Sequence, residues 1–174
     1  MKRNKILIYS STFFILTSCC IPIIQKKFYT TEYGSDRPKK NRFKLAKNTT
    51  NQNLNELISE NAIYTRTDSS YFKLVKTKKI ELFITKSFIR FFKNGQFLKG
   101  TTNNFKNGLK NYNNLKSGII GYYKILDNKI LLEYFFVGPH DCGEYHQYQK
   151  KIIGDSIIGY QKIKVDGLTG TADW

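Results

Sequence analysis

The stretch Gly138-Pro139-His140-Asp141-Cys142-Gly143-Glu144-Tyr145-His146 gathers both histidines of the chain and one of its three cysteines into a few residues. Cys142, His140 and His146 are the donor types a soft metal would take. On a strand, Glu144 and His146 share a face, while His140 and Cys142 precede them in a Gly/Pro turn. A fourth ligand is not identifiable, and the paired spacing of zinc sites is absent, so the stretch reads as a chain reversal. Cys142 with a histidine base would make a nucleophile, but no oxyanion loop or third group accompanies it. Gly-x-Ser-x-Gly, Walker and dinucleotide patterns are also missing. The expectation is a non-enzyme with no metal and no cofactor.

The second chemistry lies near the start. Lys2, Arg3 and Lys5 form a basic segment, Ile6 to Leu16 is uncharged and mostly apolar, and Leu16-Thr17-Ser18-Cys19 comes next. As a helix the apolar run would reach only about 16 Å, half of a ~30 Å hydrocarbon core, which makes it a processing signal rather than a span.

The tetrad Leu16-Thr17-Ser18-Cys19 resembles the lipobox of bacterial lipoproteins, with an apolar residue three before the cysteine and small residues between. Cys19 fits this pattern better than Cys20, which would put Thr17 at the apolar position. The resemblance implies removal of residues 1–18 and acylation of Cys19. At ~0.8 kcal/mol per buried methylene, several acyl chains hold a soluble domain at a bilayer. The expected location is therefore the cell membrane or outer membrane, with the domain exposed to the periplasm or the cell exterior. If Cys19 is acylated, Cys20 and Cys142 remain and an oxidising envelope permits their pairing. Such a bond would draw the domain against the membrane, and free thiols are the expectation.

The whole chain, 174 residues with 29 Lys plus Arg against 13 Asp plus Glu, is the size of one domain. Its 13 Phe and 12 Tyr exclude a fully disordered polypeptide. The positive excess is almost all lysine, arginine occurring only at Arg3, Arg37, Arg42, Arg66 and Arg90. Few forked donors, together with export, argue against a nucleic-acid partner. Attraction of lysines to anionic headgroups near the anchor is a milder possibility beside a merely solvated basic surface.

Residues 19–53 read as the lipidated N-terminus and a flexible tether, with Lys26-Lys27, Lys39-Lys40 and many polar residues. Asn53 to Glu60 suggests a helical turn with Leu54, Leu57 and Ile58 on one face, able to plug one end of the strand region. Residues 54–166 form the domain, and 167–174 a C-terminal tail. Within the domain, short runs rich in Ile, Tyr, Phe and Thr are separated by Asn94-Gly95, Asp127-Asn128 and Gly154-Asp155, three hairpin signals in order. Seven to nine antiparallel strands are expected in a mainly β, up-and-down meander. Ile130, Leu132, Tyr134 and Phe136 share one face, with Leu131, Glu133 and Phe135 opposite. Between Ile84 and Ile89 the apolar phase slips, which a bulge or bend near Lys86-Ser87 would explain. The polar insert from Thr101 to Gly118 carries Phe105, Leu109, Tyr112 and Leu115 at helical spacing; it reads either as a variable Asn/Lys loop with no role or as a segment that could fold one apolar stripe over a barrel mouth.

The succession Phe-Phe-Lys-Asn-Gly, polar insert, Gly-Tyr-Tyr-Lys-Ile, Lys-Ile-Leu-Leu-Glu and Gly-Asp-Ser-Ile-Ile, over about residues 62–165, resembles the small lipocalin-like barrels of bacterial lipoproteins. The Gly-x-Trp signature near the first strand of typical lipocalins is missing, the only tryptophan being Trp174, so the expected barrel is short or partly open. The resemblance implies a binding module whose interior, lined by Tyr123, Ile125, Tyr134 and Phe136, holds a small apolar or amphipathic ligand. The alternative is a structural or interaction lipoprotein with a filled interior, binding another envelope protein through its surface or a sheet edge.

The lipobox generates the first test. Cys19→Ala should leave uncleaved precursor or free the chain from membranes; a variant that is processed normally and keeps its acyl mass would exclude Cys19 as the acylated residue.

Overall fold

A computed structural model of the chain describes residues 26–48, 58–76, 78–105, 108–139, 141–172 and 174. Residues 1–25, with the expected signal and the Cys19 and Cys20 positions, lie outside them, as do Leu54, Leu57 and His140. The fold is mainly β: β1 (Phe28–Thr30) and β2 (Asp36–Pro38) form a small hairpin, followed by a 3-10 turn at Leu45–Asn48. The main sheet runs β3 (Ala62–Lys73), β4 (Ile80–Phe91), β5 (Gln96–Thr101), β6 (Ile119–Leu126), β7 (Lys129–Phe136), β8 (Glu144–Ile153), β9 (Ser156–Ile157) and β10 (Gln161–Lys164), with one short helix, α1 (Leu109–Tyr112), between β5 and β6.

Neighbours in the chain are neighbours in the sheet, all antiparallel, except that β10 returns to pair with β3. The end strands β9 and β10 approach each other, so the sheet curls into a nearly closed barrel, as the meander of turn signals required. The three turns fall where the sequence places them. Gly95 (φ +79°), Asp127 (φ +54°) and Gly154 (φ +58°) take the left-handed conformation that two-residue hairpin turns need.

Alternation sorts side chains to the two sides of the wall. Tyr64, Ile89, Phe91, Phe97, Tyr123 and Leu132 fill the interior. Ile58 joins them, so the one described residue of the predicted Asn53 to Glu60 apolar face does plug the core. The outer side is also apolar. Ile63, Phe88, Leu98 and Ile120 are covered by Tyr112, Leu115, Leu168, Ala172 and Trp174, and Tyr122 and Phe135 by Phe43 and Leu45.

Three expectations are corrected here. Residues 26–48 are not a free tether: β1, β2 and the 3-10 turn are packed on the outer wall, with Phe43 and Leu45 buried. Residues 167–172 and 174 are likewise part of the cover, not a loose tail. The Thr101 to Gly118 insert puts Tyr112 against Phe88 on the outside of the wall, ring centroids 4.8 Å apart, rather than over a barrel mouth.

The expected bulge at Lys86-Ser87 is absent. β3 and β4 keep one register from Ile63↔Arg90 to Lys73↔Ile80. The apolar phase changes because residues 80–84 have left the barrel and no longer answer to its interior; Ile80, Leu82, Phe83 and Ile84 are all exposed.

Two buried arginines fasten the cover. Arg90 donates through Nη1 to the carbonyl oxygens of Tyr112 (3.1 Å) and Thr169 (2.8 Å) and to Asn113 Oδ1 (3.2 Å), and through Nη2 to the Gly170 carbonyl (3.3 Å). Arg37 donates to the carbonyls of Gly118 (2.6 Å) and Leu115 (3.2 Å). Burial lowers the pKa of both guanidiniums, but their high ordinary value keeps them charged.

Removing the Arg90 fork strands three main-chain carbonyls. Arg90→Met should destabilise the fold by about 1–3 kcal/mol in urea titration. Arg90→Lys should recover less than half of that, since a single ammonium lacks the fork's reach. Wild-type stability in either variant would show that the tail does not hang on this contact.

Candidate functional site

The segment leaving β2 builds the most distinctive feature of the surface. Phe43 is buried between Tyr122 (4.9 Å) and Tyr145 (4.8 Å, edge-on), which pins the chain to the outer faces of β6 and β8. Two residues on, Leu45 N donates to Glu133 Oε2 at 2.8 Å, giving a carboxylate that is only 1% exposed a main-chain partner. Tyr145 Oη donates to the Lys40 carbonyl (2.8 Å) and accepts from Arg42 N (3.3 Å). With its main chain held this way, the Lys39 to Arg42 segment leaves its basic side chains exposed.

Those side chains, with Lys26 and Lys27 from the strand entry, ring a recess of about 300 Å³ whose floor is Phe135, Tyr145 and Gly143. Gly143 (φ +91°) is required there, because a Cβ would stand 2.3 Å from the Phe135 ring. Phe135 and Tyr145 meet edge to face at 5.2 Å and give the floor an aromatic surface. Among the described residues, five cations and no carboxylate line the recess. Clustered charge of one sign above a low-dielectric floor focuses the field, so an anion is drawn in. Burial pushes the Tyr145 hydroxyl pKa up, against the opposing pull of Arg42, so it stays a neutral donor.

A wider, shallower recess of about 490 Å³ lies beside Arg90, Glu60, Lys93 and the 168–172 segment. Its charges are already satisfied: Glu60 pairs with Lys93 at 2.7 Å, and Arg90 is engaged by the carbonyls named above. Among the described residues it offers no unmatched charge to a ligand.

The four residues expected to line a ligand cavity all lie on the interior parity of their strands. Tyr123 is fully buried, and its hydroxyl donates to the Phe92 carbonyl at 2.9 Å. Ile125 and Tyr134 pack against the interior cluster, and Tyr134 stacks on His146 at 5.4 Å. Phe136 stands at the rim, 43% exposed. None of the four lines the basic recess.

In the 138–146 stretch, His146 Nε2 lies 3.8 Å from Glu144 Oε2. His140 is outside the described residues, and among the described residues no group of three metal-ligating side chains occurs. Cys142 is disulfide-bonded, which replaces the expected free thiol. Sequence reasoning named both lysine pairs of the recess but assigned them to a tether. What it missed is that three-residue strands closed at Gly34 (φ +72°), with Arg37 as a buried anchor, suffice to fold this segment onto β6–β8.

No protein-family model, curated protein or solved structure matches this chain. Among the described residues no helix is long and apolar enough to cross a membrane.

The tyrosines generate a pH prediction. Burial raises the hydroxyl pKa of Tyr64, Tyr123, Tyr145, Tyr148 and Tyr160. Above the ordinary value of about 10 the unfolded chain loses these protons while the folded chain keeps them. Stability is then full below about pH 10 and falls as pH rises beyond it. Urea midpoints that stay level through about pH 11 would contradict this.

Proposed function

We propose that the protein is a lipid-anchored, non-catalytic lipoprotein of the bacterial envelope that binds a small amphipathic anion in the basic recess on the outside of its barrel. Anchoring rests on the lipobox-like Leu16 to Cys19 tetrad. The observation that carries the binding reading is the ring of Lys26, Lys27, Lys39, Lys40 and Arg42 over the Phe135–Tyr145 floor, cationic at the rim and apolar below. A carboxylate, sulfate or phosphate group matches the rim and a short hydrocarbon or ring matches the floor. The packed interior supports an external site, since Tyr64, Phe91, Phe97 and Tyr123 occupy the space a lipocalin calyx leaves open. The non-catalytic reading is supported by the recess itself, among whose described lining residues there is no carboxylate or imidazole to act as general acid or base.

Decanoate is a suitable probe. Titrated into the protein, it should bind at the recess and weaken with salt. Lys39→Glu/Lys40→Glu/Arg42→Glu should raise its Kd by about tenfold or more, a loss of at least about 1.4 kcal/mol, whereas Tyr123→Phe should leave it unchanged. Equal affinity in the triple variant, or loss of binding in Tyr123→Phe, would move the site elsewhere.

A further inference from the structure

The hairpin of β3 and β4 outruns the barrel. β10 pairs with β3 only up to Thr65, and β5 with β4 only down to Ser87, so residues 68–73 and 80–85 pair in the sheet with each other alone. The register puts Tyr71, Ile80, Leu82 and Ile84 on one face and Phe72 and Phe83 on the other, the two phenylalanines in edge-to-face contact at 5.9 Å. All six are more than half exposed, with Tyr71 at 74%, and Val75 near the tip is 95% exposed. Lys73, Lys76, Lys78 and Lys79 surround this apolar surface. Glu81 is the one acid facing them from the hairpin's outer half, since Asp68 is occupied by Arg66 at 2.6 Å.

Exposed apolar surface of this extent marks a protein or membrane contact, and three features choose between them. A flat protein partner would cover one face and leave the other wet, whereas a lipid interface receives both. A second copy pairing antiparallel along the free 80–85 edge of β4, in the register that pairs all of it, would bring Lys79 beside Lys86 of its mate, a like-charge contact of the kind that blocks edge-to-edge association. Cations grouped around apolar side chains match an anionic bilayer, each lysine near such a surface contributing to attraction. The free edges fix the depth. Unpaired N–H and C=O groups cannot enter hydrocarbon, so the hairpin stays in the headgroup and upper acyl layer.

The antiparallel order sends the β3–β4, β5–β6 and β7–β8 connections to one end of the sheet. Gly143, in the β7–β8 connection, lines the basic recess. We propose that the β3–β4 hairpin is a membrane-docking element that lays its apolar side chains into the interface of an anionic bilayer while its lysines meet lipid phosphates. This rests on the lipoprotein reading for its location, not on the ligand of the recess.

The test uses the full chain as purified from membranes, carrying Trp174→Phe and either Val75→Trp or Leu82→Trp, reconstituted in vesicles of phosphatidylcholine alone or with phosphatidylglycerol. With phosphatidylglycerol both indoles should shift to the blue and be quenched more by bromines near the headgroup than by bromines deep in the acyl chains. Lys76→Glu/Lys78→Glu/Lys79→Glu should cut that quenching at least twofold, and phosphatidylcholine alone should give little. Water-like emission at both positions on the anionic vesicles would overturn the proposal. So would blue-shifted emission without lipid at the mass of a dimer, or a shift that appears only when another envelope protein is added. The acyl mass of the N-terminal peptide is read on the same sample. If Cys19 proves unmodified, the anchoring reading fails while the indole response still decides the hairpin.

Discussion

The fold is governed by a barrel wall that is apolar on both sides. An eight-stranded barrel of this size needs side chains to fill its interior, and Tyr64, Phe91, Phe97 and Tyr123 supply them. Ile63, Phe88, Leu98 and Ile120 then face outward, and leaving them in water would forfeit roughly 1.5–3 kcal/mol for each large side chain. The wall must therefore be clad, and the segments before β3 and after β10, with the insert between β5 and β6, provide the cladding. Irregular chain laid against an apolar wall exposes carbonyls to a dry environment. Arg37 and Arg90 answer that need, each spreading one buried charge over several carbonyl oxygens.

The meander was legible because its signals are local. Asn94-Gly95, Asp127-Asn128 and Gly154-Asp155 are turn chemistry, and the period-two pattern in Lys129 to Phe136 assigns both faces of β7 without reference to any other part of the chain. The cladding was not legible, because nothing in the periodicity of residues 26–48 announces a partner so far away in sequence. Phe43 and Leu45 are two apolar residues in a polar stretch, and their burial comes from the shape of the β6–β8 outer wall. The candidate site shared this fate: Lys39, Lys40 and Arg42 are visible as charges, but their convergence on Phe135 and Tyr145 is a product of tertiary folding.

The apolar phase slip between Ile84 and Ile89 shows how a correct observation can carry the wrong cause. A change of phase within a strand signals that the surroundings change, and a bulge is one way to do that. Here the strand keeps its register, and what ends is the barrel beside it. The alternation on 80–84 therefore records a different contact from the one that shapes 88–91. Lysine observes the same division, lining the exposed hairpin and the recess while, among the described residues, the two buried cations that hold the cladding are both arginine.

The bonds that fasten the cladding also set when the protein can become itself. Leu115 and Gly118 accept from Arg37, and Glu133 accepts from Leu45, across separations of 78, 81 and 88 residues. Contacts of that range close only after long loops have been searched, which makes folding slow relative to chains built from neighbouring contacts. The segment before β3 therefore waits as open chain until the outer wall of β6–β8 is in place, and the first residues to be made are among the last to find their seat.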